Sequence, residues 1–179
     1  MRTITDIIIH CSATPEGREV SVETIRRWHR QRNFADIGYH YVIHLDGTIE
    51  PGRAEQAVGA HCLHHNQNSI GICYIGGCAS DGKTPKDTRT PAQTAALVQL
   101  LKQLTNRYNL PLTAIHGHNE FAPKACPSFN VQQWLNGDPD TNQRSVCGGE
   151  SGAPSRFNGG VADSLCGLGG EREKKGGKL

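Results

Sequence analysis

Between Ile115 and Phe129 the chain reads IHGHNEFAPKACPSF. Five side chains that can ligate a metal or move a proton, His116, His118, Glu120, Lys124 and Cys126, fall within eleven residues. The thiol lies in a proline-bounded loop, PKACP, whose restricted backbone would hold a thiolate in place. Zinc takes imidazole nitrogen and thiolate sulfur in tetrahedral geometry, and a catalytic site keeps three protein ligands and leaves the fourth position to water. The remaining donor must come from another segment. His10 closes the apolar run DIIIH, where a rigid strand gives way to a loop, a usual seat for catalytic groups. His116 and His118 stand at i and i+2 and share a face if their segment is a strand. On spacing alone, either one can join His10 and Cys126, and solvated histidines beside an inert thiol are the other reading.

The elements that must position these groups follow from periodicity. Asp6 to His10 is a β-branched run that reads as a buried strand. Ser21 caps a helix in which Val22, Ile25 and Trp28 recur at helical spacing. Tyr39 to Leu45 and Thr48 to Glu50 flank Asp46-Gly47, a hairpin signal. Ser69 to Ile75 reads as a central strand, with Cys73 in its core. Thr90-Pro91-Ala92-Gln93 combines an N-cap, a first-position proline and a capping-box glutamine. The helix it opens carries a stripe of Leu97, Leu100, Leu101, Leu104 and Tyr108. Thr113 to His116 is a short strand and Val131 to Leu135 a short last helix. The order β α β β β α β α predicts an α/β domain, a central mixed sheet flanked by helices.

Composition bounds the function class. A chain of 179 residues holds one domain. A net charge of +2 gives no field that would favour nucleic acid or an anionic membrane. No apolar stretch approaches the roughly 18 to 20 residues of a membrane span, and MRTITDIIIH lacks a signal-peptide core of about 7 to 15 apolar residues. A cytoplasmic site of synthesis is the expectation, and seven cysteines without a leader or a C-x-x-C pair read as thiols or ligands. Composition changes at Gly137. Residues 137–179 hold 11 of the 21 glycines, six positive and six negative charges and one phenylalanine. A segment so poor in apolar side chains is expected to be a flexible tail behind a domain spanning 1–136.

Several segments, in order, resemble the zinc-dependent N-acetylmuramoyl-L-alanine amidases of type 2, a class that includes the bacteriophage T7-type lysozymes and the peptidoglycan recognition proteins. They are IIIHCSAT, DIGYHYVIHLDGTIEPGR, AVGAH, NSIGICYIGG, TPAQ and HNEFAPKACPSF. The likeness covers residues 4 to 135, leaves the tail without a counterpart, and is strongest to the T7-type enzymes.

The resemblance implies one zinc ion held by His10, His118 and Cys126, because the family's late histidine stands eight residues before the cysteine. It implies Tyr39 and Lys124 as catalytic side chains, and Lys124 as the mark of hydrolysis over mere binding. Glu120 is expected to orient a ligating imidazole. His61, with Arg53, His64 and Asn66, is expected in the substrate cleft. The implied substrate is peptidoglycan or a muropeptide, cut between N-acetylmuramic acid and L-alanine. Two alternatives are a non-catalytic recognition module and a regulatory protein with a protein partner, since T7-type lysozymes also inhibit their phage's RNA polymerase. Lack of a leader fits a lysis enzyme released through a holin-type lesion, and equally a cytosolic enzyme of wall recycling.

Overall fold

The computed structural model describes residues 2–137, and the expected tail lies outside the described residues apart from Gly137. Strand β1 (Asp6–Cys11) is followed by the two-residue β2 (Thr14–Pro15), helix α1 (Val22–Gln31) and the antiparallel pair β3 (Tyr41–Ile43) and β4 (Ile49–Pro51). Then come β5 (Ser69–Tyr74), the short β6 (Gly77–Cys78), helix α2 (Pro91–Tyr108), β7 (Ile115–Gly117) and helix α3 (Val131–Leu135). The main sheet runs β4-β3-β5-β1-β7, parallel except for β4. A mixed sheet flanked by helices is therefore what the chain forms. β2 and β6 pair separately, a small sheet that no periodicity signals because two residues carry no period.

The helix starts agree with their sequence signals. Ser21 accepts a hydrogen bond from the Thr24 amide, and Thr90 and Gln93 form both halves of a capping box. Asn109, in the left-handed region, ends α2. Side chains alternate across the sheet. Ile7, Ile9 and Cys11 of β1, with Ile70, Ile72 and Tyr74 of β5, pack on the leucine stripe of α2. On the other face Val42 and Cys73 meet Val22 and Ile25 of α1 together with Ile37 and Tyr39. His10 lies between two residues that face α2, so its side chain emerges on the α1 face.

Two anchors hold the segment after β7. Gln132 donates to the Ile115 carbonyl at 2.6 Å, joining α3 to β7. The Arg89 guanidinium sits 3.4 Å from the Phe129 ring centroid and pairs with Asp87. Elsewhere Glu55 accepts from Tyr41, Tyr108 and Arg107, tying the hairpin's exit to the end of α2.

Candidate functional site

β1 and β7 are parallel neighbours, and both deliver a histidine at their carboxyl ends, where open α/β sheets place their sites. His10 comes from β1 and His118 from the turn directly after β7. Each is wholly buried. Cys126 arrives from the loop before α3, and one donor atom from each of His10, His118 and Cys126 lies within 4.8 Å of the others. The cysteine loop is fastened to the sheet: the Tyr74 hydroxyl donates to the Pro127 carbonyl at 2.6 Å, and Ser128 donates to the Gly77 carbonyl at 2.8 Å. The Cys11 amide donates to Cys126 Sγ at 3.3 Å. Read from sequence, Cys11 is one more structural thiol, and only its place after His10 hints at this contact.

Electrostatics favour a metal over solvated ions. Burial, and then the neighbouring His118, His61 and Lys124, hold His10 well below the ordinary imidazole pKa. Burial and then Lys124 lower His118 to about 4. Both rings are therefore neutral near pH 7, with a lone pair to offer. Burial pushes the Cys126 thiol well up, so taking up a cation would expel its proton. Neither ring nitrogen of His118 has a hydrogen-bond partner although both are buried. An orphaned buried imidazole costs roughly 1–3 kcal/mol unless something binds it. Donors around a tetrahedral zinc stand roughly 3.3–3.8 Å apart, and His10 Nδ1 lies 3.7 Å from Cys126 Sγ. Two imidazoles and a thiolate suit zinc, so the residues fit that ion.

The family model described as N-acetylmuramoyl-L-alanine amidase matches residues 1–129. The chain belongs to the N-acetylmuramoyl-L-alanine amidase family. It is 46% identical over 128 residues to the endolysin of Escherichia phage T7, covering 72% of this chain and 83% of that protein. A peptidoglycan-recognition protein of Drosophila melanogaster is 32% identical over 142 residues, covering 74% of this chain and 75% of that protein. Among solved structures, the amidase LysC from Clostridium intestinale superposes with a TM-score of 0.63 at 30% identity, over 75% of this chain and 87% of that one. Bumblebee PGRP-SA, at 24% identity and a TM-score of 0.63 over 78% of this chain and 84% of that one, shares the fold. The enzyme class that goes with this membership is N-acetylmuramoyl-L-alanine amidase, and peptidoglycan amidase is the activity it supports.

Around the donor cluster, the amidase arranges the other expected residues unevenly. Tyr39 packs its ring 5.1 Å from His10 and 5.2 Å from His29, and its hydroxyl reaches Cys73. Burial raises its phenol well above the ordinary value, so it stays a proton donor. Lys124 is exposed, and its charge bears on both His10 and His118.

The remaining expected residues make contacts of their own. Glu120 hydrogen-bonds to neither ligand candidate: both His118 nitrogens are without a partner, and the His10 nitrogens meet His61 and Cys126. Its carboxylate accepts from the Gly117 amide and pairs with His116, because the strand stops at Gly117 and the chain turns into a short 3-10 helix. That turn also cancels the shared face expected of His116 and His118: His116 is drawn to Asp6 and Glu120 while His118 turns inward. His61 is not at a cleft surface. It is 3% exposed, with one ring nitrogen 3.0 Å from His10 Nε2 and the other 3.3 Å from Ser69 Oγ. Arg53 and Asn66 hold backbone: Arg53 donates to the Asp36, Ile37 and Val58 carbonyls, and Asn66 Oδ1 accepts from the His61 and Cys62 amides. His64 alone of that group is exposed, at a positive φ of 67°.

Proposed function

We propose that the protein is a zinc-dependent peptidoglycan hydrolase that cuts the amide between N-acetylmuramic acid and L-alanine, with His10, His118 and Cys126 as the zinc ligands. The observation that carries this reading is the pair of orphaned, buried His118 nitrogens beside His10 and Cys126. Bound there, zinc would supply Lewis acidity toward the scissile carbonyl and a lowered pKa for water. The chain's own residues do the rest. His10 and His118 present neutral lone pairs, and the Cys11 amide steadies sulfur as a thiolate. Lys124 brings a cation near His10 and His118, and in this reading it meets the charge that the carbonyl oxygen gains. Losing such a donor costs on the order of 100 to 1,000-fold in rate. Tyr39 keeps its proton and packs its ring against His10, which steadies that imidazole.

Similarity to phage endolysins supports a role in wall lysis, with the enzyme reaching its substrate through a lesion made by another protein. Among the described residues no helix is long and apolar enough to cross a membrane. Similarity to peptidoglycan-recognition proteins supports muropeptide as ligand and keeps a non-catalytic binder as the second reading; the exposed Lys124 beside a complete donor set favours hydrolysis. Digesting purified sacculi and mapping the products by mass spectrometry separates the two. New L-alanine amino termini, lost on adding chelator, are expected. Binding to sacculi without such termini would leave the recognition reading standing.

A further inference from the structure

His61 carries two contacts that, taken together, fix the direction of every proton in a buried chain. The Ser69 hydroxyl lies 2.7 Å from the His65 carbonyl and 3.3 Å from His61 Nε2. A carbonyl can only accept, and a hydroxyl has one proton, so Ser69 donates to His65 and is left as an acceptor toward His61. His61 Nε2 must then carry a hydrogen. The His61 ring is only 3% exposed and has His10, His40 and Ser69 against it rather than a carboxylate, so it carries a single hydrogen and its Nδ1 is a bare acceptor. That nitrogen is 3.0 Å from His10 Nε2. His10 must therefore donate from Nε2, and its own Nδ1 is left unprotonated, facing Cys126 Sγ at 3.7 Å.

The surroundings are built for this ring. A Cβ on Gly71 would come within 2.6 Å of the His61 ring, and one on Gly59 within 2.5 Å. Both positions therefore exclude any side chain that would shift the imidazole. The His61 amide is held by Asn66 Oδ1 at 2.7 Å, and the His40 ring stands edge-on at 5.6 Å. Ser69 opens β5, directly beside β1 in the sheet, so both ends of the relay rest on paired strands.

We propose that His61, backed by Ser69, is a positioning residue that sets the tautomer and rotation of His10, so that Nδ1 is presented as a ready ligand. The relay runs His10 to His61 to Ser69 to the His65 carbonyl, with each group donating to the next. Partners of this kind, behind a ligating imidazole, typically change metal affinity by about 10 to 100-fold. The proposal rests on His10 being a zinc ligand, but its first test does not.

In the metal-free wild-type protein, long-range proton–nitrogen NMR reads the His10 tautomer directly. The expected result is hydrogen on Nε2 and none on Nδ1; hydrogen on Nδ1 overturns the proposal. Zinc affinity, by competition with a chromogenic chelator, is the second readout. His61→Phe keeps the ring volume without the acceptor and is expected to bind zinc about 10 to 100-fold more weakly than wild type. His61→Gln, which retains one acceptor and one donor, is expected to recover affinity toward wild type. An unchanged zinc affinity in His61→Phe overturns the proposal. If His61→Phe does not fold, the wild-type tautomer decides alone. A wild-type protein that takes up no zinc would defeat the ligand reading, while the tautomer result would still judge the relay.

Discussion

Replacing Tyr74 by phenylalanine removes one oxygen and tests how the cysteine loop is held. The Tyr74 side chain is 1% exposed and its hydroxyl donates to the Pro127 carbonyl at 2.6 Å. The ring would still fill its place between Phe129 and the α2 stripe, so no cavity forms. What is lost is the donor to a buried carbonyl, at a cost of about 1–3 kcal/mol. Unfolding entropy is about 2.1 cal/mol/K per residue, or roughly 0.29 kcal/mol/K for a domain of this size, so Tm should fall by about 3–10 °C. Scanning calorimetry with chelator present measures this without any contribution from metal. Because Pro127 adjoins Cys126, the rise in Tm on adding zinc should also shrink. A Tm within about 1 °C of wild type, below the smallest shift this cost allows, would refute the view that this hydrogen bond fastens the loop.

Three further outcomes are expected. Lys124→Ala should lower the rate of sacculus digestion by about 100 to 1,000-fold while leaving zinc content unchanged, as assayed by turbidity loss and metal analysis on the same sample. Thr90→Ala removes the N-cap of α2 and a hydroxyl donated to the Leu45 carbonyl at 2.7 Å. It should cost about 0.5–2 kcal/mol, read as a lower urea midpoint at unchanged slope. His44 is bonded by Glu19 at 2.8 Å and Glu50 at 2.9 Å, and although burial opposes its charge, these bonds raise its pKa. A raised folded pKa gives stability that is full below the unfolded value of about 6.5 and is lost as pH rises through the folded value. The stability gap between wild type and His44→Gln, from urea melts, should be widest below about pH 6.5 and close in alkaline buffer.

Much of the scaffold is legible because it follows local rules. The capping box at Thr90, the Ser21 cap, the hairpin at Asp46-Gly47 and the leucine stripe of α2 each follow from a short window of sequence. Resemblance, more than periodicity, separates His118 from His116. A strand reading gives both one face, whereas the chain leaves the sheet at Gly117 and turns His118 inward. The layer behind the donors is not legible. Glu120 looks like an imidazole's partner by adjacency, yet the partner of His10 is His61, fifty-one residues away and brought up by sheet pairing. Ser69 carries no signal beyond opening an apolar strand. Arg53 and Asn66 look like binding residues by type, but their bonds go to backbone that only the folded loop brings within reach.

Metal analysis of the purified protein tests the central claim most directly. Zinc measured by mass spectrometry should be one ion per chain in wild type and absent from His118→Ala, with both proteins folded by circular dichroism. A folded His118→Ala protein that retains a full equivalent of zinc would contradict the account.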